Sequence, residues 1–553
     1  MATDPRRLGQ GIDTVDPDHN VPPAGFEPPG DSRTLLGHPL GLYLLFFVEM
    51  WERFSYYGMR AILVLYLARS ASPSADQNGF VNPGRGWDES NSYTLYGWYT
   101  GLAYLTPVLG GMIADKIIGT HRSMIVGGLT IALGHLVLFV SGLGSFATNH
   151  TGMTIFITGL ALIVLGTGHF KPTVSVMVSQ LYPDRDRRRE NAFSIFYMGI
   201  NLGALLGTLL CGYLGEKIGW HFGFGAAAVG MIAGLITYIF GRPFLLKRIG
   251  LPPEGKPNIS LPLIGTSLVL AAGVGGLYHF GALGAVGDAI SWLKSPENKL
   301  IGIGVALTLV GVVLGLAMWL VSLQRPGDKG PVVTILVFML FNAMFWLAFE
   351  QAGSTLTIFA ERSTARTMLG WEVPASWFQF INPAVILLCT PLFALLWTRL
   401  DRVGRCPSQP TKIAMGLVLV GLGYVFLVIA ARNNHLTGEL VSPMWLVALF
   451  IVHTWGEICL SPTGLSYVTK TAPIKFMSLL MGIWFLSSFV ANLSAGLVAT
   501  LVEPIEKGRI KLPWSIGGRA DFFMFFVVSS VGAGVLILIL VPLLKKLMRN
   551  PND

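Results

Sequence analysis

The stretch FFVEMWERFSYYGMR, residues 46–60, places two acids and two bases inside an otherwise apolar segment. An ionised side chain costs about 2.5 kcal/mol or more at the centre of a spanning helix, so such residues persist where they pair or face water. On an α-helix the polar side chains of this stretch share one face. That face consists of Glu49, Glu52, Arg53, Tyr56 and Arg60. The stretch therefore predicts a membrane helix whose charged stripe faces a polar interior.

The composition is that of a membrane protein. Of the 553 residues, 52% are hydrophobic and only 12% are charged, and the mean hydropathy is +0.60. Apolar runs of about 20 residues recur about fourteen times, which predicts an all-α polytopic membrane protein. The four cysteines show no paired spacing, so the sequence predicts neither a disulfide framework nor a metal or cofactor site.

The net charge of +9 lies largely in short loops that fall on one side if the spans alternate. Positive loops mark the cytoplasmic side, so we interpret the charge as a topology signal and expect no binding to nucleic acid. The basic segment at residues 545–549 belongs to the same side. Both termini are therefore predicted to be cytoplasmic, with an even number of spans.

Hydropathy also divides the chain. Two spans, near residues 259–280 and 300–323, have no acid or base in their apolar cores, and removing them leaves six spans on each side. We therefore expect two six-helix halves and two inserted helices. The predicted parts are a flexible N-terminal tail at 1–36, the N-terminal half at 37–246, the inserted helices at 247–330, the C-terminal half at 331–546 and a C-terminal tail at 547–553.

The loop GGMIADKIIGTHR, residues 110–122, resembles the signature between the second and third helices of the major facilitator superfamily. Gly110 and Gly111 allow two helices to approach closely, and Asp115 can pair with the basic loop and latch the cytoplasmic side in one state. A plain tight turn is the alternative interpretation. The resemblance implies the major facilitator fold of two six-helix halves around a central site.

Five further motifs resemble one branch of that superfamily, the proton-dependent oligopeptide transporter family. They are Glu49-x-x-Glu52-Arg53-Phe54-x-Tyr56-Tyr57, Gly166-Thr167-Gly168-x-x-Lys171-Pro172-x-x-Ser175, Phe196-Tyr197-x-x-Ile200-Asn201-x-Gly203, Phe345-Trp346-x-x-x-Glu350-Gln351-x-Gly353-Ser354 and Gly456-Glu457-x-x-x-Ser461-Pro462-x-Gly464-Leu465-Ser466. The two extra spans lie where bacterial members carry theirs. The resemblance therefore implies a bacterial-type member of this family.

Three spans besides the first hold lone ionisable residues, namely Lys171, Glu350 and Glu457. An intramembrane charge is a functional candidate by default. Structural roles stay open for all three: Lys171 as a counter-ion, and the two acids as neutral groups hydrogen-bonded to the backbone.

The resemblance implies how these residues bind a peptide. A zwitterionic peptide needs an acid at one end and bases at the other. By resemblance, Arg60 and Lys171 bind the peptide carboxylate, while Glu457 and Asn382 bind the amino group. The other implied contacts are Tyr56 and Asn201 to the peptide amide, Tyr104, Trp346 and Trp484 as apolar walls, and Ser461 in the tenth-helix motif.

The resemblance also implies that carboxylates couple transport to protons. Glu350 pairs with Arg60 until a peptide carboxylate occupies the arginine, and Glu350 then takes up a proton. The cluster that exchanges partners between states in a similar way consists of Glu49, Glu52, Arg53 and Lys171.

Histidines are not expected to carry the protons. Animal members of the family place a histidine on the second helix, but the corresponding position here is Gly97. His135, His169 and His453 lie within spans, and we interpret each as a hydrogen-bonded packing residue.

Together these features predict a symporter that imports di- and tripeptides with protons by alternating access. We expect a monomer in the bacterial inner membrane, driven by the proton gradient and without a cofactor. A transporter of another zwitterion, organic anion or drug is the first alternative, and a channel is another. A membrane enzyme is disfavoured, because no nucleophile, metal cluster or phosphate loop accompanies the acids.

Overall fold

The computed structural model describes residues 33–72, 81–183, 186, 188–285, 287, 292, 298–473 and 476–548. The predicted tails fall mostly outside these residues. The helices are α1 (Leu40–Ala68), α2 (Glu89–Ile113), α3 (Gly119–Val140), α4 (His150–Gln180), α5 (Arg188–Lys217), α6 (Trp220–Leu245), α7 (Ser260–His279), α8 (Lys299–Ser322), α9 (Pro326–Phe349), α10 (Thr355–Ser363), α11 (Ile381–Arg402), α12 (Gln409–Thr437), α13 (Met444–Thr471), α14 (Met477–Ala499), α15 (Val502–Glu506) and α16 (Arg519–Met548).

The helices confirm an all-α polytopic membrane protein. Among the described residues, 11 stretches are long and apolar enough to cross a membrane, and one of them, Glu89–Val140, contains both α2 and α3. The charged helix α1 has 29 residues and α8 has 24, so both also have the length of a span. The arrangement is consistent with the fourteen predicted spans, and α7 and α8 occupy the positions predicted for the inserted pair.

The helices pack as two groups. In the first, α1 packs against α5 and α6, and α3 packs against α4 and α6; in the second, α12 packs against α13 and α16, and α9 packs against α14. The two halves meet where α2 contacts α14 and where α5 contacts α11. The inserted helix α7 packs on α4 and α3, so it is attached to the N-terminal half.

Two short antiparallel hairpins accompany the helices. Strands β1 (Thr34–Leu35) and β2 (His38–Pro39) precede α1, and strands β3 (Thr367–Met368) and β4 (Trp371–Glu372) lie between α10 and α11. Strand β1 therefore lies inside the predicted tail at 1–36. Similarly, α16 continues to Met548, two residues beyond the predicted end of the C-terminal half.

Gly97 and Gly496 bring the two halves into backbone contact. A Cβ atom added to Gly97 would lie 2.8 Å from the Cα of Gly496, and one added to Gly496 would lie 2.5 Å from the Cα of Gly97. Because no side chain fits between the helices there, this crossing requires glycine on both sides. It also explains physically why position 97 has no room for a histidine.

The helix that carries Glu350 is interrupted at that residue. Helix α9 ends at Phe349, a 3₁₀ turn covers Glu350–Gly353, and α10 begins at Thr355. Gln351 holds the turn in place, because its Nε2 donates to the carbonyl of Ala495 in α14 at 2.9 Å and its Oε1 accepts from Thr355 at 2.9 Å. The acid therefore projects from a braced break in the helix rather than from a regular turn.

The histidines within the membrane helices differ in their hydrogen bonding. His453 is buried, and its Nε2 lies 3.0 Å from the carbonyl of Val420, as expected for a packing residue. His135 is fully buried, yet neither ring nitrogen has a hydrogen-bond partner among the described residues. The expectation that His135 is hydrogen-bonded is therefore wrong. For His169, the Nδ1 atom likewise has no partner within the described part of the chain.

Candidate functional site

A cavity of about 230 Å³ lies between the two halves. It is lined from the N-terminal half by α1 and α5 and from the C-terminal half by α9, α11 and α13. Its polar and aromatic lining residues are Tyr57, Arg60, Tyr197, Asn201, Thr208, Trp346, Phe349, Gln379, Asn382, Phe450, Glu457 and Ser461. Concave sites between helices with a few convergent polar groups are typical of small-ligand binding.

Arg60 joins the two halves at one end of this cavity. Its Nη1 lies 3.0 Å from Oε2 of Glu350, and the exposed fractions of the two side chains are 7% and 4%. The ring of Tyr57 lies 5.3 Å from the Arg60 guanidinium carbon. The pair predicted between Arg60 and Glu350 is therefore present. Breaking it without another partner would leave a buried charge, which is strongly unfavourable.

The charged cluster on α1 forms around Arg53. Its Nε donates to Oε1 of Glu49 at 2.9 Å and lies 2.6 Å from Oε2 of Glu52. All three side chains are buried. One guanidinium group thus serves two carboxylates. The pair with Glu49 has the i, i+4 spacing that favours ion pairs on a helix, whereas Glu52 is the residue directly before Arg53.

Lys171 stands apart from these acids. Its Nζ lies 3.4 Å from the centre of the Tyr104 ring, a cation–π contact. Among the described residues, no carboxylate lies within ion-pair distance of Lys171. Pro172 follows it inside α4. Because Arg53 already occupies both α1 acids, the ammonium group is held by an aromatic face rather than by a carboxylate.

Glu457 forms the acidic end of the cavity. Asn382 donates from Nδ2 to Oε2 of Glu457 at 2.8 Å and to Oγ1 of Thr454 at 3.1 Å. Asn382 lies at the start of α11 and Glu457 in the middle of α13, so two helices of the C-terminal half build this end together. The amide holds the carboxylate toward the cavity.

The structure brings most of the predicted substrate contacts to one place. The predicted residues that line the cavity are Arg60, Asn201, Trp346, Asn382, Glu457 and Ser461. Four others, Tyr56, Tyr104, Lys171 and Trp484, are not among its lining residues. Of these, Tyr104 and Lys171 contact each other, Tyr56 stacks on Tyr99, and Trp484 is buried. Their roles in binding stay predictions.

Sequence reasoning missed several lining residues, and Tyr57 is the instructive one. On a helix, Tyr57 and Tyr56 lie about 60° and about 40° to either side of Arg60, so the helical period does not distinguish them. Packing against other helices distinguishes them. Tyr56 stacks on Tyr99 of α2, with ring centroids 6.3 Å apart, whereas Tyr57 lines the cavity. Tyr197 stands in the quoted motif Phe196-Tyr197-x-x-Ile200-Asn201 and could have been found there, whereas Gln379 and Phe450 lie in none of the quoted motifs.

The two tyrosines offer a matched test. Tyr57→Phe removes a hydroxyl group that lines the cavity, and we expect the KM for substrate to rise about fivefold, since a hydrogen bond contributes about 1 kcal/mol. Tyr56→Phe should leave KM unchanged, because the buried Tyr56 hydroxyl has no partner among the described residues. Uptake kinetics at equal protein levels measure both. A larger effect at position 56 would contradict the assignment.

Polar contacts close the bundle on the side where α1 ends, here called the α1-end side. Glu89 of the N-terminal half pairs with Arg519 at 2.8 Å and also with Arg362, both in the other half. Lys217 pairs with Glu372 at 3.0 Å. Among the described residues, every ion pair that joins the halves lies either at the cavity or on this side. The structure is therefore closed at the α1-end side.

Glu216 adds a capping contact to this closure. Its carboxylate accepts from the backbone N–H groups of Ala375 and Ser376, each at 2.8 Å, and from the Ser376 hydroxyl at 2.6 Å. The acceptor belongs to α5, and the donors begin the 3₁₀ turn that leads into α11. A carboxylate from one half therefore caps a helical segment of the other.

We expect Glu216→Gln to loosen this closure. Hydrogen bonds to a charged group contribute about 1.5–3 kcal/mol, so the open population should rise about tenfold. Double electron–electron resonance can measure this between spin labels at the exposed positions Leu143 and Leu440, with the four native cysteines replaced by serine. Glu503→Gln is the control, because Glu503 pairs only with Lys507 and Arg509 of its own half among the described residues. Equal distance distributions in both variants would contradict the capping role.

Within the described residues, no group of three or more His, Cys, Asp or Glu side chains is placed to hold a metal ion. The cavity lining includes a cation, Arg60, from one half and a carboxylate, Glu457, from the other. Such an arrangement can bind a molecule that carries both charges.

Comparisons with known proteins agree on one family. Residues 121–514 match the POT family. The chain is 36% identical to the uncharacterized transporter YclF of Bacillus subtilis, over 96% of this chain and 97% of that protein. It is 33% identical to a di-/tripeptide transporter of Lactococcus lactis, over 93% and 98%.

A solved structure gives the same result for the fold. The crystal structure of a mutant peptide transporter POT in complex with alafosfalin superposes with a TM-score of 0.74 at 33% identity, covering 94% of this chain and 97% of that one. With this similarity over nearly the whole chain, and with the motifs of α1, α5, α9 and α13 lining one cavity, the chain belongs to the POT family of transporters and is not an enzyme.

Proposed function

We propose that this protein is a proton-coupled symporter that imports di- and tripeptides by alternating access. The observation that carries the proposal is that Arg60 and Glu457 line the same cavity from opposite halves. A peptide with free termini matches both charges at once, whereas a ligand with one charge matches only one of them. The family relatives named as peptide transporters support the same substrate class.

The peptide lies with its carboxylate toward Arg60 and its amino group toward Glu457. Lys171 joins Arg60 at the carboxylate end, because its ammonium group is held only by the Tyr104 ring among the described residues. Asn382, which already contacts Glu457, supports the amino end. Asn201, on the wall between the two ends, hydrogen-bonds the peptide amide, and Trp346 and Ser461 complete the lining.

The peptide carboxylate and Glu350 compete for Arg60, and this competition couples transport to protons. When the peptide carboxylate takes Arg60, Glu350 loses its partner in a buried position, and protonation removes the cost of an unpaired charge. In the second cluster, protonation of Glu49 or Glu52 would release Arg53 from one of its two acids. The first step binds a proton and a peptide to the same state of the protein, and this linkage couples their fluxes.

We further propose that the side where α1 begins is cytoplasmic, that both termini lie there and that the membrane is a bacterial inner membrane. The basic loops near residues 115–122, 242–256 and 399–412 support this orientation. Closure at the α1-end side then corresponds to an inward-facing state. A single chain surrounds the cavity, so the monomer is the transporting unit.

Uptake of radiolabelled dialanine into proteoliposomes tests the proposal. We expect accumulation above the external concentration when an inward proton gradient is imposed, and loss of accumulation when a protonophore is added. Entry that equilibrates without the gradient would indicate a channel. Absence of entry in correctly reconstituted vesicles would exclude dialanine and favour another zwitterion, an organic anion or a drug.

Glu457→Gln tests the amino end of the site. The variant should raise the KM for dialanine at least about tenfold, because a charge-assisted hydrogen bond of about 1.5–3 kcal/mol is lost. N-acetyl-dialanine lacks the charged amino group, so its weak uptake should change little in the variant. The control is Glu439→Gln, an exposed acid outside the cavity. An acetylation penalty as large in Glu457→Gln as in the original protein would contradict the assignment.

A further inference from the structure

One side chain in the cavity wall also joins the two halves. Gln379 lines the cavity and is only partly buried. It belongs to the 3₁₀ turn Ala375–Phe380, which leads into α11 of the C-terminal half. Its Nε2 donates across the interface to the carbonyl of Ala61 in α1, at 3.3 Å. The side chain is therefore placed to contact a ligand and the opposite half at the same time.

The neighbours of Gln379 fix the orientation of its amide group. The Ala61 carbonyl can only accept a hydrogen bond. The second contact of Nε2, at 2.9 Å, is the hydroxyl oxygen of Thr357 in α10, and this hydroxyl donates its own hydrogen to the carbonyl of Ala352 at 2.7 Å. Both contacts therefore need an N–H donor, and the amide nitrogen supplies one hydrogen to each. The amide oxygen Oε1 is left without a partner among the described residues.

These hydrogen bonds lie next to the ion pair at the cavity. Ala61 directly follows Arg60 in α1, and Ala352 belongs to the 3₁₀ turn that begins at Glu350. The link through the glutamine consists of neutral groups that do not titrate near neutral pH. Protonation of Glu350 therefore leaves this link intact, and the halves stay joined here when the ion pair opens.

The turn that carries Gln379 is itself part of the closure at the α1-end side. Its first two backbone N–H groups donate to the Glu216 carboxylate of α5. The indole N–H of Trp377 donates to the carbonyl of Leu209, also in α5, at 2.9 Å. A shift of Gln379 therefore acts on closure contacts that lie within the same six-residue turn.

A peptide supplies the donor that Oε1 lacks. Peptides carry N–H groups in the amide bond and at the amino end, whereas a carboxylate offers only acceptors. Asn382 follows Gln379 by three residues and lines the same cavity, and it contacts Glu457. Residues three apart on a helical segment are neighbours on one face. Gln379 is therefore close to the end of the cavity at which the amino group is proposed to bind.

We propose that Gln379 is a positioning residue that links peptide binding to closure at the α1-end side. Its Oε1 accepts a hydrogen bond from an N–H group of the bound peptide while its Nε2 holds Ala61. A peptide that fixes Oε1 bears part of the entropy cost of ordering this side chain, so the contact with α1 is more favourable when the cavity is occupied. The inference rests on the proposed transport of peptides.

Spin-label distances across the α1-end side test this link. The labels are placed at Leu143 and Leu440 on the full chain with its four cysteines replaced by serine, and each protein is measured without substrate and with saturating dialanine. In the original protein, dialanine should lower the open-to-closed ratio at least about tenfold, within the usual range of coupling between two sites.

Gln379→Met keeps the length of the side chain but removes both the amide donor and the amide acceptor. Without substrate, it should raise the open-to-closed ratio several-fold, because the bond to Ala61 is lost. The effect of dialanine on that ratio should also shrink about fivefold, which is the size of one hydrogen bond. An unchanged ratio in the substrate-free variant would overturn the proposal.

Glu216→Gln is the matched control, because Glu216 bonds the same turn but is not among the cavity-lining residues. It should raise the open-to-closed ratio without substrate and keep the full effect of dialanine. A purely structural contact at Gln379 would behave in the same way. Equal effects of dialanine in Gln379→Met and Glu216→Gln would therefore refute the link to peptide binding.

Thr357→Val tests the orientation of the amide while leaving Gln379 in place. It keeps nearly the same volume and removes the hydroxyl group that lies 2.9 Å from Nε2. The effect of dialanine should fall about twofold, less than in Gln379→Met, because the bond to Ala61 remains. A full effect of dialanine in Thr357→Val would contradict the amide orientation on which the proposal depends.

Binding of radiolabelled dialanine to the same samples separates this inference from the proposed function. If dialanine binds to the original protein without lowering the open-to-closed ratio, the link through Gln379 is refuted while the peptide site stands. If no dialanine binds, the peptide function and the link fall together.

Discussion

Glu350→Gln is expected to abolish proton-driven accumulation of dialanine while leaving exchange of peptide across the membrane. The substitution keeps the size of the side chain next to Arg60 but removes the group that can take up a proton. The internal concentration should fall to the external concentration, because position 350 no longer takes up the proton that accompanies a peptide carboxylate on Arg60. Counterflow of labelled against unlabelled dialanine should persist, since the cavity and its two charged ends are unchanged.

The accumulation and counterflow assays distinguish a loss of proton coupling from structural damage to the binding site. Loss of counterflow together with accumulation would indicate that Glu350 supports the site structurally, through its ion pair with Arg60 at 3.0 Å. Glu439→Gln is a suitable control, because Glu439 is an exposed acid outside the cavity. Retained accumulation in Glu350→Gln under a pH gradient would refute the coupling role.

Gly496→Ala is expected to reduce transport of every substrate at least about tenfold. The added Cβ would lie 2.5 Å from the Cα of Gly97 and 2.6 Å from the carbonyl oxygen of Tyr93, both backbone atoms that cannot rotate away. The two helices must therefore separate, and α2 and α14 form one of the main contacts between the halves. Overpacking of this kind costs about 1–3 kcal/mol and displaces the surrounding backbone.

A second glycine in the same helix serves as the control. A Cβ on Gly482 meets nothing within 4 Å, so Gly482→Ala should transport normally. Uptake by both variants at matched expression, with the unfolding midpoint of each, separates a transport defect from lost protein. Gly97→His should fail for the same steric reason as Gly496→Ala. Normal transport by Gly496→Ala would show that the helices do not need this close contact.

The candidate site was predictable only in part. The residues that line the cavity from α1, α5, α9, α11 and α13 include six of the contacts that the family resemblance implies. Tyr56 shows the limit of the helical period: Tyr56 and Tyr57 lie at similar angles from Arg60, and the stacking of Tyr56 on Tyr99 distinguishes them. Lys171 shows a second failure, because the sequence directs it toward α1 acids that Arg53 already occupies.

The sequence by itself determined the class of protein, the approximate positions of the apolar spans and the list of intramembrane charges. These properties depend on local hydropathy and helical period, which are the same wherever neighbouring helices lie. Tertiary structure alone decided which acid meets which base, where glycine is obligatory, and which side of the bundle is closed. These depend on distances between segments far apart in the chain, such as Arg60 to Glu350 and Glu216 to Ser376, and no local pattern encodes them.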